Sequence, residues 1–134
     1  MNWDKYFINI AYSISLKSKD KTKVGAILVS TIDNRIISTG YNGLPAGIND
    51  NIDWTNRDLV HSMIIHAEMN CIIYSNNKFE NSILYSTLSP CKDCIKIIAA
   101  AKINKVIFHK EYKDFNIVKE LAKYFNIRLI HYNE

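Results

Sequence analysis

The sequence predicts a single α/β domain in three layers, α/β/α, with helices over both faces of a five-stranded mixed sheet. Three observations carry that prediction. The second half alternates short apolar runs with amphipathic stretches, the order of parallel strands joined by helical crossovers. The first half holds two β-rich runs separated by a turn dipeptide, which makes an antiparallel hairpin. The 134 residues contain no repeat, no low-complexity tract and no Pro/Gly/Ser linker, so residues 1–134 read as one domain.

The elements follow in order. Trp3, Phe7, Ile10, Ala11 and Ile14 recur at helical spacing, predicting an amphipathic helix over 3–16. Val24 to Ser30 and Arg35 to Thr39 are the hairpin strands, with Asp33-Asn34 as turn chemistry. Residues 40–61 are rich in Gly, Asn and Asp and read as one long loop. A helix is expected from His66 to Tyr74, a strand over Ile83–Ser86, a helix over Cys91–Ala101 and a strand over Lys105–His109. Asp114 is a candidate N-cap for a helix with Phe115, Val118, Leu121, Ala122 and Phe125 on one face, and Ile127–His131 closes the sheet.

Composition narrows the function classes. At 48% hydrophobic and 22% charged the chain is an ordinary globular protein and not a disordered one. Its apolar runs are too short to span a bilayer, and Met1 to Tyr12 lacks a signal-peptide core. The expected compartment is therefore cytoplasmic, where thiols stay reduced. A net charge of +4 suits an anionic small molecule and does not demand nucleic acid. Ile, Asn and Lys dominate, while Arg stands only at positions 35, 57 and 128. These abundant residues share A/T-rich codons and point to an A/T-rich source genome.

Two short segments carry chemistry: His66-Ala67-Glu68 and Pro90-Cys91-Lys92-Asp93-Cys94. One nitrogen and two sulfurs suit Zn²⁺. Cys91 and Cys94 share one face of a helical turn, whose N-terminus favours thiolates. His66 begins its own helix, so the three can meet where two helix N-termini converge. Three ligands leave one tetrahedral position open, as in a catalytic zinc site, and Glu68 stands close by to carry a proton. The C-x-x-C taken alone also fits a structural zinc site or a redox pair. Cys71, the spare cysteine, lies roughly 140° around the helix from His66 and is poorly placed as a fourth ligand. A redox pair would leave His66 and Glu68 unexplained.

Joined on this layout, the segments form the H-x-E…P-C-x-x-C signature of zinc-dependent nucleobase deaminases. The chain most resembles the deoxycytidylate (dCMP) deaminase family. The likeness runs through the Trp3 helix, Ser18-Lys19-Asp20, Val24-Gly25-Ala26, and Gly40-Tyr41-Asn42-Gly43-Leu44-Pro45-Ala46-Gly47. It continues through His66-Ala67-Glu68-Met69-Asn70, Leu84-Tyr85-Ser86-Thr87, the Pro90–Cys94 segment and Val106-Ile107-Phe108.

The resemblance implies a cytidine-deaminase-like fold and hydrolytic deamination of dCMP to dUMP and ammonia, supplying dUMP for thymidylate synthesis. Glu68 would shuttle the proton to ring N3 and then to the leaving amine. His66, Cys91 and Cys94 would hold one zinc. Asn42 would face the nucleotide, backbone groups at Ala67 and around Ser89 the pyrimidine edge, and Tyr112 would pack near the nucleotide. For the phosphate, Lys19, Lys21 and Lys23 are the nearest cations, weighed against a plain solvated loop; the Arg that the family often carries before the Ser is Lys17 here. The loop Gly40, Tyr41, Asn42, Gly43, Pro45 and Gly47 implies regulation by dCTP with Mg²⁺ and by dTTP, weighed against a simple surface turn. The 48–61 segment offers His61 but no cysteine, so a single metal is expected. His61, His109 and His131 are read as ordinary histidines and Cys71 as a small core residue. The family implies a homo-oligomer, commonly a hexamer, and the codon bias suits a phage or large DNA virus acting in its host's cytoplasm. The competing readings are a dCTP-using deaminase, a tRNA adenosine deaminase-like enzyme, which would need a basic groove and stacking aromatics, and a non-catalytic zinc-binding module.

Overall fold

The computed structural model describes residues 1–133. Five strands, β1 (Gly25–Ser30), β2 (Ile36–Tyr41), β3 (Ser82–Leu88), β4 (Lys105–Lys110) and β5 (Arg128–His131), form one sheet in the order β2-β1-β3-β4-β5. β1 pairs antiparallel with both β2 and β3, while β3, β4 and β5 run parallel. The parallel pairs are joined by α4 (Lys92–Ala100) and α5 (Phe115–Tyr124).

Strand alternation sorts the core into two layers. On one face Ala26, Leu28, Leu84 and Val106 pack with Ala67 and Cys71 of α3 (Ala67–Ile73), Ile95 and Ile98 of α4, and Val118 and Ala122 of α5. On the other, Ile27, Val29, Tyr85 and Ile107 pack with Phe7 and Ile8 of α1 (Trp3–Ser15). The central strands are buried on both faces, which is why β1 reads as a continuous apolar run. Gly25 lets α1 lie directly on β1: a Cβ there would sit 1.9 Å from the Ala11 carbonyl oxygen.

Four details depart from the sequence expectation. Residues 40–61 are not wholly loop, because α2 (Arg57–Met63) begins inside them and runs past their end, capped by Asn56 accepting from the Leu59 N–H. Seven residues with only Val60 buried give too little periodicity to reveal it. Gly40 and Tyr41 belong to β2 and not to the loop. Trp3 is 55% exposed and stacks on Phe7, while Ile8 and Ser15 take core positions on α1. Asp114 does occupy the N-cap of α5, but in a left-handed conformation (φ 63°) with no side-chain bond to the helix.

The abundant Asn has a structural use. Among the described residues, Asn34, Asn76, Asn77, Asn81 and Asn126 take positive φ, turn positions that other sequences fill with Gly. No helix among the described residues is long and apolar enough to cross a membrane.

Candidate active site

The antiparallel start and parallel finish of the sheet bring four chain segments to one edge. β2, β3 and β4 end there, delivering Asn42, Ser89 and Tyr112, and β1 begins there after Asp20, Thr22 and Val24. Crevices at the carboxyl ends of strands are where α/β sheets bind ligands. Here the cleft opens to solvent. His66, Ala67, Glu68, Cys91, Leu88, Arg57, His61 and Ile64 complete its wall.

At its inner end two helices converge. His66 is the N-cap residue of α3 and Cys91 that of α4, so both side chains project from helix starts. The Cys91 sulfur accepts from the Cys94 N–H, the ordinary capping contact made with a thiol. His66 Nδ1 lies 3.2 Å from Cys94 Sγ and 3.4 Å from Cys91 Sγ. All three donor atoms fall within 4.8 Å of one another. Tetrahedral zinc with ordinary Zn–S and Zn–N bonds needs a sulfur-to-nitrogen separation of about 3.6 Å, so the donors fit that ion nearly as they stand. Among the described residues it is the one grouping of His, Cys, Asp and Glu placed to hold a metal.

The two thiols are biased in opposite directions. Hydrogen bonding from the Cys94 thiol, with His66 beside it, pulls the Cys91 thiol down to about 4. Its hydrogen bond to that sulfur, together with burial, holds the Cys94 thiol up. The hydrogen bond with Cys91 raises the His66 imidazole. Cys71 lies outside this group. It is fully buried against Ser38, and burial pushes its thiol up to about 12.

Glu68 is only 4% exposed, in the first turn of α3. Burial raises its carboxyl to about 7, the range in which one group can both take and return a proton near neutral pH.

The remaining sequence candidates divide. Ala67, Ser89, Tyr112 and Asn42 all line this cleft. Ser89 Oγ accepts from the Tyr112 N–H at 2.7 Å, which fixes the loop after β4 over the site. The Asn42 amide is committed to the protein: Oδ1 accepts from the Val24 N–H and Nδ2 donates to the Thr22 carbonyl. It pins the 20–24 loop to the cleft rim. Of the other loop residues, Gly40, Tyr41 and Gly43 face a separate shallow depression with Leu44, Ala46, Asn70 and Tyr74. Gly47 has φ +85° in open space, a turn position.

None of Lys19, Lys21 and Lys23 lines the cleft. Lys19 pairs with Asp50 at 2.5 Å and Lys23 donates to the Ser18 carbonyl. Of the polar residues lining the cleft, Asp20, Thr22 and Arg57 received no site role from the sequence, and His61 was read there as an ordinary histidine. Arg57 and His61 lie on the helix hidden in the supposed loop, and Asp20 was noted only as part of a resemblance. His109 and His131 stay structural, the first bonded to the Tyr12 hydroxyl and the second stacked on Phe108.

Three cysteine and histidine donors at two helix starts, close enough together to hold a metal ion and with a buried acid on the same helix as the histidine, are the donor set of a metal-dependent enzyme. The chain belongs to the cytidine and deoxycytidylate deaminase family, whose zinc-binding region matches residues 1–110. It is 32% identical to human deoxycytidylate deaminase over 95% of this chain and 76% of that one. It is also 32% identical to the deoxycytidylate deaminase of Mycobacterium phage D29, over 82% of this chain and 96% of that one. Among solved structures, the dCMP deaminase of cyanophage S-TIM5 in complex with dCMP and dUMP superposes with a TM-score of 0.82 at 28% identity, covering 96% and 95% of the two chains. Other animal relatives are longer: the chain spans 65% of the mouse enzyme and 54% of the Caenorhabditis elegans one.

Proposed function

We propose that this chain catalyses the hydrolytic deamination of dCMP to dUMP and ammonia, with residues 1–134 acting as one catalytic domain. The observation that carries the reading is the buried Glu68 carboxyl against a His66/Cys91/Cys94 cluster at the inner end of a solvent-open cleft. His66, Cys91 and Cys94 would hold a zinc ion, which when bound would supply the Lewis acidity that lowers the pKa of water. Glu68 moves both protons of the attacking water: it takes one as the oxygen bonds to C4 and delivers it to ring N3, then takes the second from that same oxygen and hands it to the amine, so that the C4–N bond breaks, ammonia leaves and C4 keeps a carbonyl oxygen. The Ala67 N–H and the backbone around Ser89 orient the pyrimidine edge. Tyr112 covers the nucleotide and excludes water, and Asn42 holds the rim that meets the sugar.

The same reading assigns the 40–47 loop, with the depression beside Tyr41 and Gly43, to dCTP with Mg²⁺ or to dTTP as effectors. It also makes the working form a cytoplasmic homo-oligomer, for which exposed Tyr6, Ile73 and Tyr74 supply apolar surface. The test is ammonia release by zinc-loaded protein from a panel of dCMP, dCTP, CMP, cytidine, adenosine and guanine, with and without dCTP and dTTP. Turnover led by dCMP supports the reading. Turnover led by adenosine, or none with any cytosine nucleotide, overturns it.

A further inference from the structure

The cytosine amine and the 5′-phosphate stand at opposite ends of a nucleotide. With the reacting carbon at the metal cluster, the dianionic end must find its donors elsewhere along the same cleft. The lysines nearest in sequence do not reach it. Among the described residues lining the cleft, Arg57 is the one permanent cation.

Arg57 is held as a recognition group would be. Its Nη1 donates to the Trp54 carbonyl at 3.1 Å, and its Nη2 stands 2.9 Å from Asp20 Oδ1. Asp20 is itself fixed, with its side chain 6% exposed and Oδ2 3.5 Å from the Asn42 amide. Asp20 Oδ1 meets the guanidinium as an ion pair without an aligned hydrogen bond. Arg57 therefore keeps 29% of its side chain exposed and part of its five-donor fork unspent. His61, one helical turn on, accepts at Nε2 from Arg57 Nη2 at 3.5 Å and lines the same wall.

We propose that Arg57, oriented by Asp20 and flanked by His61, reads the 5′-phosphate of the substrate and makes the enzyme prefer a nucleotide to a nucleoside. A buried carboxylate beside the arginine is the expected arrangement for a positioned fork: it fixes the planar group in advance and leaves the outer N–H donors for phosphate oxygens. The proposal rests on the cytosine-nucleotide reading of the cleft.

The test compares kcat/KM for dCMP with that for 2′-deoxycytidine in wild-type protein and in Arg57→Ala, with bound zinc and thermal unfolding measured on each. Loss of a charge-assisted phosphate contact lowers the dCMP-to-deoxycytidine preference by about 10- to 100-fold, mostly through KM for dCMP. Arg57→Gln keeps the stem and an amide donor for the Trp54 carbonyl while removing the charge, and the same collapse is expected of it if the alanine variant does not fold. A preference held at the wild-type value in a folded variant, with both substrates slowed alike, makes Arg57 a purely structural partner of Asp20 and overturns the proposal. If wild-type protein turns over no cytosine nucleotide at all, the reading of the cleft fails first and the proposal with it.

Discussion

Gly40 tests how the sheet positions the reacting groups. A Cβ at residue 40 would lie 2.5 Å from the Ala67 carbonyl oxygen and 2.6 Å from the Cys71 N–H nitrogen, both backbone atoms of α3. Ordinary contact begins near 3.4 Å, so in Gly40→Ala the helix must retreat by about 0.9 Å. Overpacking of that kind costs about 1–3 kcal/mol, and at about 4 °C per kcal/mol for a domain of this size the midpoint falls by about 4–12 °C. The helix carries Glu68 and starts at His66. A displacement near 1 Å in a positioned reacting group costs about 10²-fold in rate. Scanning calorimetry and kcat/KM for dCMP read the two effects. Two glycines of the same motif serve as controls for the stability effect. Gly43 has nothing nearer than 3.5 Å and no positive φ, so Gly43→Ala stays within about 0.5 kcal/mol. Gly47 has open space but φ +85°, so Gly47→Ala costs about 1 kcal/mol through backbone strain alone. A Gly40→Ala protein with wild-type stability and turnover would refute the reasoning, as would a Gly43→Ala protein damaged to the same degree.

Three further outcomes follow from the site and core. His66→Ala, Cys91→Ser and Cys94→Ser each reduce bound zinc from about one per chain to near zero, while Cys71→Ala retains it; elemental analysis of dialysed protein decides, and zinc loss in Cys71→Ala would contradict the ligand set. After zinc is stripped with a chelator, Cys91, with its thiol held down to about 4, remains thiolate as pH falls from 8 to about 5. Its alkylation by iodoacetamide then stays nearly level across that window, and buried Cys71 goes unlabelled; a tenfold drop per pH unit below 8 would mean an ordinary thiol. Tyr85 donates its hydroxyl to Asp4 Oδ1 at 2.6 Å across the α1–sheet interface. Tyr85→Phe therefore lowers stability in urea unfolding by about 1 kcal/mol, Asp4 being free to resolvate, and no loss would place the tie outside the folding balance.

What could be read from the chain was what is encoded locally. His66, Glu68, Cys91 and Cys94 sit within two short segments, and helix geometry alone places them at helix starts. The parallel order of β3, β4 and β5 follows from helical crossovers, which permit little else. Features made by distant segments were hidden. Arg57 and Asp20 are far apart in sequence, and nothing in either neighbourhood says that they pair at 2.9 Å. Gly40 looks like a turn residue and is instead a contact point between β2 and α3. Trp3 has the spacing of a core residue, yet α1 is rotated so that Ile8 is buried in the core and Trp3 lies over Phe7 at the surface. Periodicity identifies an amphipathic helix but locates its buried face only to within about one residue.

The most direct measurement is the rate of dCMP deamination by zinc-loaded Glu68→Gln, followed by absorbance beside wild-type protein with zinc content and dUMP binding determined for both. The variant keeps about one zinc per chain and binds dUMP, and its kcat/KM falls by about 10²- to 10⁴-fold, the worth of a positioned proton carrier. Undiminished turnover by Glu68→Gln would contradict the assignment of the buried carboxyl as the group that moves the proton.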